Sequence, residues 1–161
     1  MIDIKYDPEK IIYLRNIIIN EFLKNSPDIT KNDISKISNN DLILLFELYD
    51  NHFFSGFFTR EFDGKFKLSL SRQLSRSAGI TRAPKALSSL PSHKKLIEIK
   101  ISADHILNFN LSEREKHVAG IAVNSPLDAL LLTLEHELIH CLEFIIYNKS
   151  SCKKSPFKET A

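Results

Sequence analysis

The stretch Ser125-Pro126-Leu127-Asp128-Ala129-Leu130-Leu131-Leu132-Thr133-Leu134-Glu135-His136-Glu137-Leu138-Ile139-His140-Cys141-Leu142-Glu143-Phe144-Ile145-Ile146-Tyr147 decides how the chain is read. It predicts a long helix with a marked start. Ser125 is an N-cap, Pro126 stands at the first helical position, where its missing N–H is harmless, and Asp128 follows three residues after the cap. Apolar residues cover almost the whole circumference, so the helix belongs in the interior. Glu135, His136, Glu137, His140 and Glu143 sit inside it, and burying ionisable groups costs kilocalories each unless something pairs them. A divalent cation is the economical partner. His136 and His140 are four apart and project from one face, with Glu137 beside the first. The segment His136-Glu137-Leu138-Ile139-His140 is the H-E-x-x-H pattern, in which two His bind zinc and the Glu is general base toward the metal's water. The plainer alternative is two core histidines satisfied by nearby carboxylates, but cores seldom hold three ionisable groups on one face without a function.

A catalytic zinc site needs a third protein ligand and an open position. His52, His93, His105 and His117 lie upstream, and past His140 only Cys141, Glu143, Cys152 and Glu159 carry ligand atoms. Glu143, three residues after His140, suits a carboxylate that accepts from a ligand imidazole. Cys141 reads as an apolar packing residue of the same helix.

Asp7-Pro8-Glu9 opens a first amphipathic helix over 8–24 with Ile11, Ile12, Leu14, Ile18, Ile19, Phe22 and Leu23. Residues 25–28 break it, 30–39 read as a polar loop or short turn, and Asn40 or Asp41 caps a second helix to about His52. Phe53-Phe54-Ser55-Gly56-Phe57-Phe58, the Asp63-Gly64 turn signal and the alternating Lys65 to Leu70 predict strands. Arg82 to Lys95, with Pro84 and Pro91, reads as a long mobile connection, Leu96 to Ile101 as a further strand, and Ser112 to Gly120 as an exposed excursion. The expectation is one α+β domain over 1–161: N-terminal helices and a small antiparallel sheet packed on the buried helix, in a zincin-like arrangement.

Composition narrows the class. With 161 residues, 43% apolar and 26% charged, the chain is a single globular domain, neither disordered nor fibrous. Apolar runs fall far short of the ~20 residues that span a bilayer, so no membrane role is expected. The N-terminus lacks a secretory pattern and two Cys make no disulfide framework, which makes a reducing cytoplasm the default compartment. A net charge of +2 is too mild to name a polyanionic partner.

Over about residues 40 to 161 the chain resembles the SprT-like (Spartan/SprT) zinc metalloprotease family. The resemblance rests on Leu48-Tyr49-Asp50 with Phe53-Phe54-Ser55-Gly56, on Leu74-Ser75-Arg76-Ser77-Ala78-Gly79, on Ile99-Lys100-Ile101-Ser102, and on Leu134-Glu135-His136-Glu137-Leu138-Ile139-His140, in that order. It implies His136 and His140 as zinc ligands, Glu137 as catalytic base, and hydrolysis of peptide bonds in proteins bound or crosslinked to DNA. The family's downstream ligand segment, aligned on Phe157-Lys158, sets its ligand position on Lys153, which cannot bind zinc while protonated. Three readings stay open: the third ligand lies beyond Ala161, Cys152 or Glu159 substitutes, or the site is degenerate. The helix-like ending Phe157 to Ala161 favours truncation.

Arg72, Arg76, Arg82, Lys94 and Lys95, with Lys85, cluster in sequence near Phe57, Phe58 and Phe66, a composition that suits phosphate contact and base stacking. An ordinary solvated surface over core Phe residues fits as well. The expected reaction is zinc-assisted hydrolysis of a protein or peptide, with Glu137 taking the water's proton and the substrate lying between the helix and the sheet's edge strand. The alternatives are a nucleic-acid-binding module with a structural or degenerate metal site, and a metal-dependent hydrolase of non-peptide bonds.

Overall fold

The computed structural model describes residues 7–74, 77–104, 117–118, 121–122 and 125–148. Helix α1 (Pro8–Asn25) starts where Asp7 accepts the Lys10 N–H at 2.8 Å, and buries Leu14, Ile18, Ile19 and Phe22. Helix α2 (Asn39–His52) begins slightly earlier than its polar residues suggest. Ser38 and Asp41 form a reciprocal capping box, so the true cap is Ser38. The loop between the helices is polar on its surface but held down by buried Ile29, Ile34 and Ile37.

The aromatic run after α2 is not a strand. Ser55 and Gly56 take left-handed conformations, and residues Phe57–Glu61 form a short helix, α3. Asp50, 4% exposed, reaches forward from α2 to accept the N–H groups of Phe58 (2.9 Å) and Thr59 (3.2 Å) and the Thr59 hydroxyl (2.6 Å). A distant carboxylate therefore satisfies the helix start, a feature that period-two reasoning cannot see. Phe46, Phe54, Phe58, Phe62 and Phe66 stack here with neighbouring centroids 4.8 to 5.6 Å apart.

Strands β1 (Lys65–Ser71), β2 (Gly79–Arg82) and β3 (Leu96–Ser102) form one sheet in the order β1-β3-β2. The sheet is mixed, not antiparallel: β1 runs parallel to β3, from Lys65 opposite Leu96 to Ser71 opposite Ser102, and only β2 is antiparallel to β3. The burial of β3 accounts for its position in the sheet. Its Ile97, Ile99 and Ile101 are fully buried, so it takes the central place between two strands that are less covered. The Asp63-Gly64 turn precedes β1 and joins no hairpin. Residues 83–95 are an ordered connection with 3₁₀ turns at Leu87–Ser89 and Ser92–Lys94, pinned by buried Leu87 and by the Ser88 N–H on Asn148 Oδ1. Two-residue strands β4 (His117–Val118) and β5 (Ile121–Ala122) pair antiparallel, within and just after the stretch expected to be an excursion.

Helix α4 (Pro126–Tyr147) begins with the Ser125 side chain accepting the Asp128 N–H at 3.1 Å and ends at Asn148 in a left-handed C-cap. It lies against β2, β3 and α2. From Pro126 to Glu143 every residue except Asp128 and His136 is buried. No helix among the described residues is long and apolar enough to cross a membrane.

Candidate metal centre

On α4, the Nε2 atoms of His136 and His140 converge to 3.1 Å, with their rings near perpendicular. Two nitrogens bound at ~2.0–2.1 Å to one tetrahedral ion stand about 3.3 Å apart, so the pair fits a metal with little adjustment. His136, Glu137 and His140 bring their ligand atoms within 4.8 Å of one another, a cluster that could hold a metal ion. His140 and Glu137 are buried, whereas His136 is partly open to solvent. A cation would be reached from the side of His136.

His140 is held from behind. His140 Nδ1 lies 2.9 Å from Oε1 of Glu143, which is 1% exposed. A donated Nδ1–H leaves the Nε2 lone pair directed at His136. Burial, and then the nearby His140, lowers the His136 pKa and favours its neutral, metal-binding form.

Glu137 meets the sheet. Thr81, on β2, donates its hydroxyl to Glu137 Oε2 at 2.6 Å. Gly79 lets the strand come close, since a Cβ there would stand 3.1 Å from both Glu137 Cγ and Thr133 Cγ2. Burial raises the Glu137 pKa, opposed by the Thr81 hydroxyl and by His140. Burial, with Glu137 nearby, pushes the Cys141 thiol well up, as befits a core residue.

Glu135 does not belong to the cluster. Its carboxylate accepts Arg15 Nε at 2.9 Å and a terminal guanidinium nitrogen at 2.6 Å, together with the Tyr49 hydroxyl at 3.0 Å. A cation is thus not needed to pair every acid in α4. Burial works against the Arg15 charge, but the hydrogen bond and charge of Glu135 outweigh it and raise its pKa. Burial and Glu135 together push the Tyr49 hydroxyl well up. Sequence reasoning missed Arg15, Tyr49 and Thr81 as partners. Arg15 carried a signal: it lies on the same stripe as Ile11, Ile18 and Ile19, where a cation demands a buried anion.

Among the described residues no further His or Cys joins the cluster of His136, Glu137 and His140. His52 Nε2 pairs with Glu21 at 3.0 Å, His93 is exposed, and the side chain of His117 lies outside the described residues, as do His105, Cys152, Lys153 and Glu159.

The basic residues lie at different levels along the sheet. Arg82 pairs across from Glu98 and Lys94 is exposed just before β3, whereas Arg72 follows Ser71, which faces Ser102. That separation is four to five strand residues, roughly 13–17 Å. Lys95 is tied to Asp63 at 2.9 Å, and Arg76 lies outside the described residues. Phe57 and Phe58 are core residues, and Phe66 packs against them, so these rings do not form a stacking surface.

No protein-family model, curated protein or solved structure matches the chain.

Proposed function

We propose that the chain is a zinc-dependent peptidase of SprT-like type, with a zincin-like arrangement of the mixed sheet over α4. The observation that carries this reading is the convergence of His136 and His140 Nε2 at 3.1 Å beside a Glu137 carboxylate held by the sheet. A structural site has no need of the last element. His136 and His140 would hold the ion, which when bound supplies Lewis acidity toward a carbonyl and makes water nucleophilic near neutral pH. Glu137 takes the proton from the attacking water and returns it to the leaving amine. Thr81 occupies one carboxylate oxygen and leaves the other for that transfer. Among the described residues no strand pairs with the outer edge of β2, so an extended peptide can add there and bring its scissile bond beside Glu137. The resemblance further suggests proteins bound to DNA as substrates.

The test is cleavage of an unfolded protein such as casein by the zinc-loaded chain, with and without single-stranded DNA. Cleavage that Glu137→Gln abolishes while zinc is retained supports the reading. A zinc-saturated, folded chain that cleaves neither casein nor a DNA-bound protein overturns it.

A further inference from the structure

Glu135 and Glu137 are two positions apart on α4, so at about 100° per residue their side chains leave the helix roughly 200° apart. Each is gripped from its own side. Arg15 of α1 and Tyr49 of α2 hold Glu135, while Thr81 of β2 holds Glu137. The hydrophobic pattern of α4 does not by itself single out this orientation. Leu, Ile, Ala and Cys surround the helix on all sides, so turning it by one position exchanges one buried aliphatic residue for another. The same turn removes Glu135 from Arg15 and Glu137 from Thr81.

We propose that the Arg15–Tyr49–Glu135 cluster sets the rotational register of α4 and is thereby a positioning device for His136, Glu137 and His140. The inference rests on the metal-centre reading for its consequence. His136 and His140 turn together, so their mutual distance is preserved in any register. What the register decides is whether they and Glu137 face the edge strand. A turn of about 20° at a side-chain radius of about 5–6 Å moves a ligand atom by about 2 Å, ten times the roughly 0.2 Å tolerance of a metal bond to a fixed third group.

The chemistry of the cluster fits selection better than stability. Apolar residues of similar volume are often equal or superior to a buried ion pair in stability, and the best-attested use of such a pair is to choose one packing among several. The planar fork of Arg15 engages both oxygens of Glu135 and so fixes the direction of the carboxylate, which the point charge of Lys would not. Tyr49, fully buried, also donates to the Leu131 carbonyl at 3.3 Å and so touches α4 one turn earlier.

The experiment replaces Arg15→Met and Glu135→Met together in the full chain. Two readouts are taken: zinc affinity by chelator competition, and the nuclear Overhauser contact between the Thr81 methyl and the Glu137 γ-methylene in metal-free protein. The expected result is a folded variant of near wild-type denaturant midpoint that has lost the contact and binds zinc at least tenfold more weakly. A folded variant that keeps the contact and binds zinc within twofold of wild type overturns the proposal. If the double variant does not fold, Arg15→Lys keeps the charge without the fork and is judged by the same two outcomes. If the wild type itself binds no zinc, the metal-centre reading fails, and the Thr81–Glu137 contact alone decides the register.

Discussion

His140 Nδ1 and Glu143 Oε1 stand 2.9 Å apart on consecutive turns of α4, the carboxylate almost wholly buried. The pair joins a member of the candidate metal cluster to a carboxylate outside it. Its geometry explains why an acid is retained in the most apolar element of the chain.

Glu143→Ala should lower zinc affinity roughly 10- to 100-fold by releasing the ring tautomer and orientation of His140. Chelator competition measures this, with Glu143→Gln, which can still accept a hydrogen bond, falling between. Equal affinities for all three proteins would assign Glu143 to packing alone.

Gly79→Ala places a Cβ 3.1 Å from Glu137 Cγ and from Thr133 Cγ2, both buried residues of α4. A loss of about 1–3 kcal/mol in urea denaturation is expected, together with a weakened contact between Thr81 and Glu137. A neutral substitution would mean that β2 and α4 are less tightly apposed than the distances indicate.

Thr133→Val should stabilise the protein. The Thr133 hydroxyl is buried and has no hydrogen-bond partner among the described residues, so replacing it with a methyl group removes a desolvated polar atom at constant shape. The expected gain is about 1 kcal/mol in a denaturant titration, with zinc affinity unchanged. A loss of stability would reveal a partner for that oxygen.

Asp50→Ala should cost about 2–3 kcal/mol, because it strands the buried Phe58 N–H and removes the acceptor of the Thr59 N–H and hydroxyl. Thermal melting reports the loss. Asn, which keeps one acceptor, should recover part of it.

DNA association, where the resemblance suggests it, should depend on the end of the sheet that carries Arg82 and Lys94. Reversing both to Glu should weaken binding of a short duplex and flatten its salt dependence, each lost phosphate contact lowering the slope by about 0.9. Arg72→Glu, at the other end of β1, should act separately. Binding that ignores both changes, or does not respond to salt, returns these residues to ordinary surface.

Much of the architecture was legible because its causes are local. Asp7-Pro8 and Ser125-Pro126 mark helix starts through capping chemistry that acts within three residues, and both helices begin there. The candidate metal cluster was legible for the same reason, since helical geometry alone brings His136 and His140 onto one face. What escaped was non-local. The helical fate of Phe57 and Phe58 depends on Asp50, and the parallel pairing of β1 depends on a strand that begins 31 residues after it. Strand alternation marks which face is buried and is silent on direction. Thr81 stands in a strand with no pattern of its own, and it acquires a role only when the sheet meets α4.

The separation of 120 residues between Arg15 and Glu135 sets an order on assembly as the chain is synthesised. At ~5–20 residues per second, Arg15 is added to the growing chain roughly 6–24 s before Glu135. During that interval α1 can form and dock on α2 through its apolar stripe, but Arg15 lacks the carboxylate that it holds in the folded protein. The histidines follow Glu135 immediately in the chain, so the clamp and the groups it orients emerge as one packet. A ligand that requires the oriented site therefore meets a chain whose N-terminal layer is already built, and its capture reports that the earlier elements have found their places.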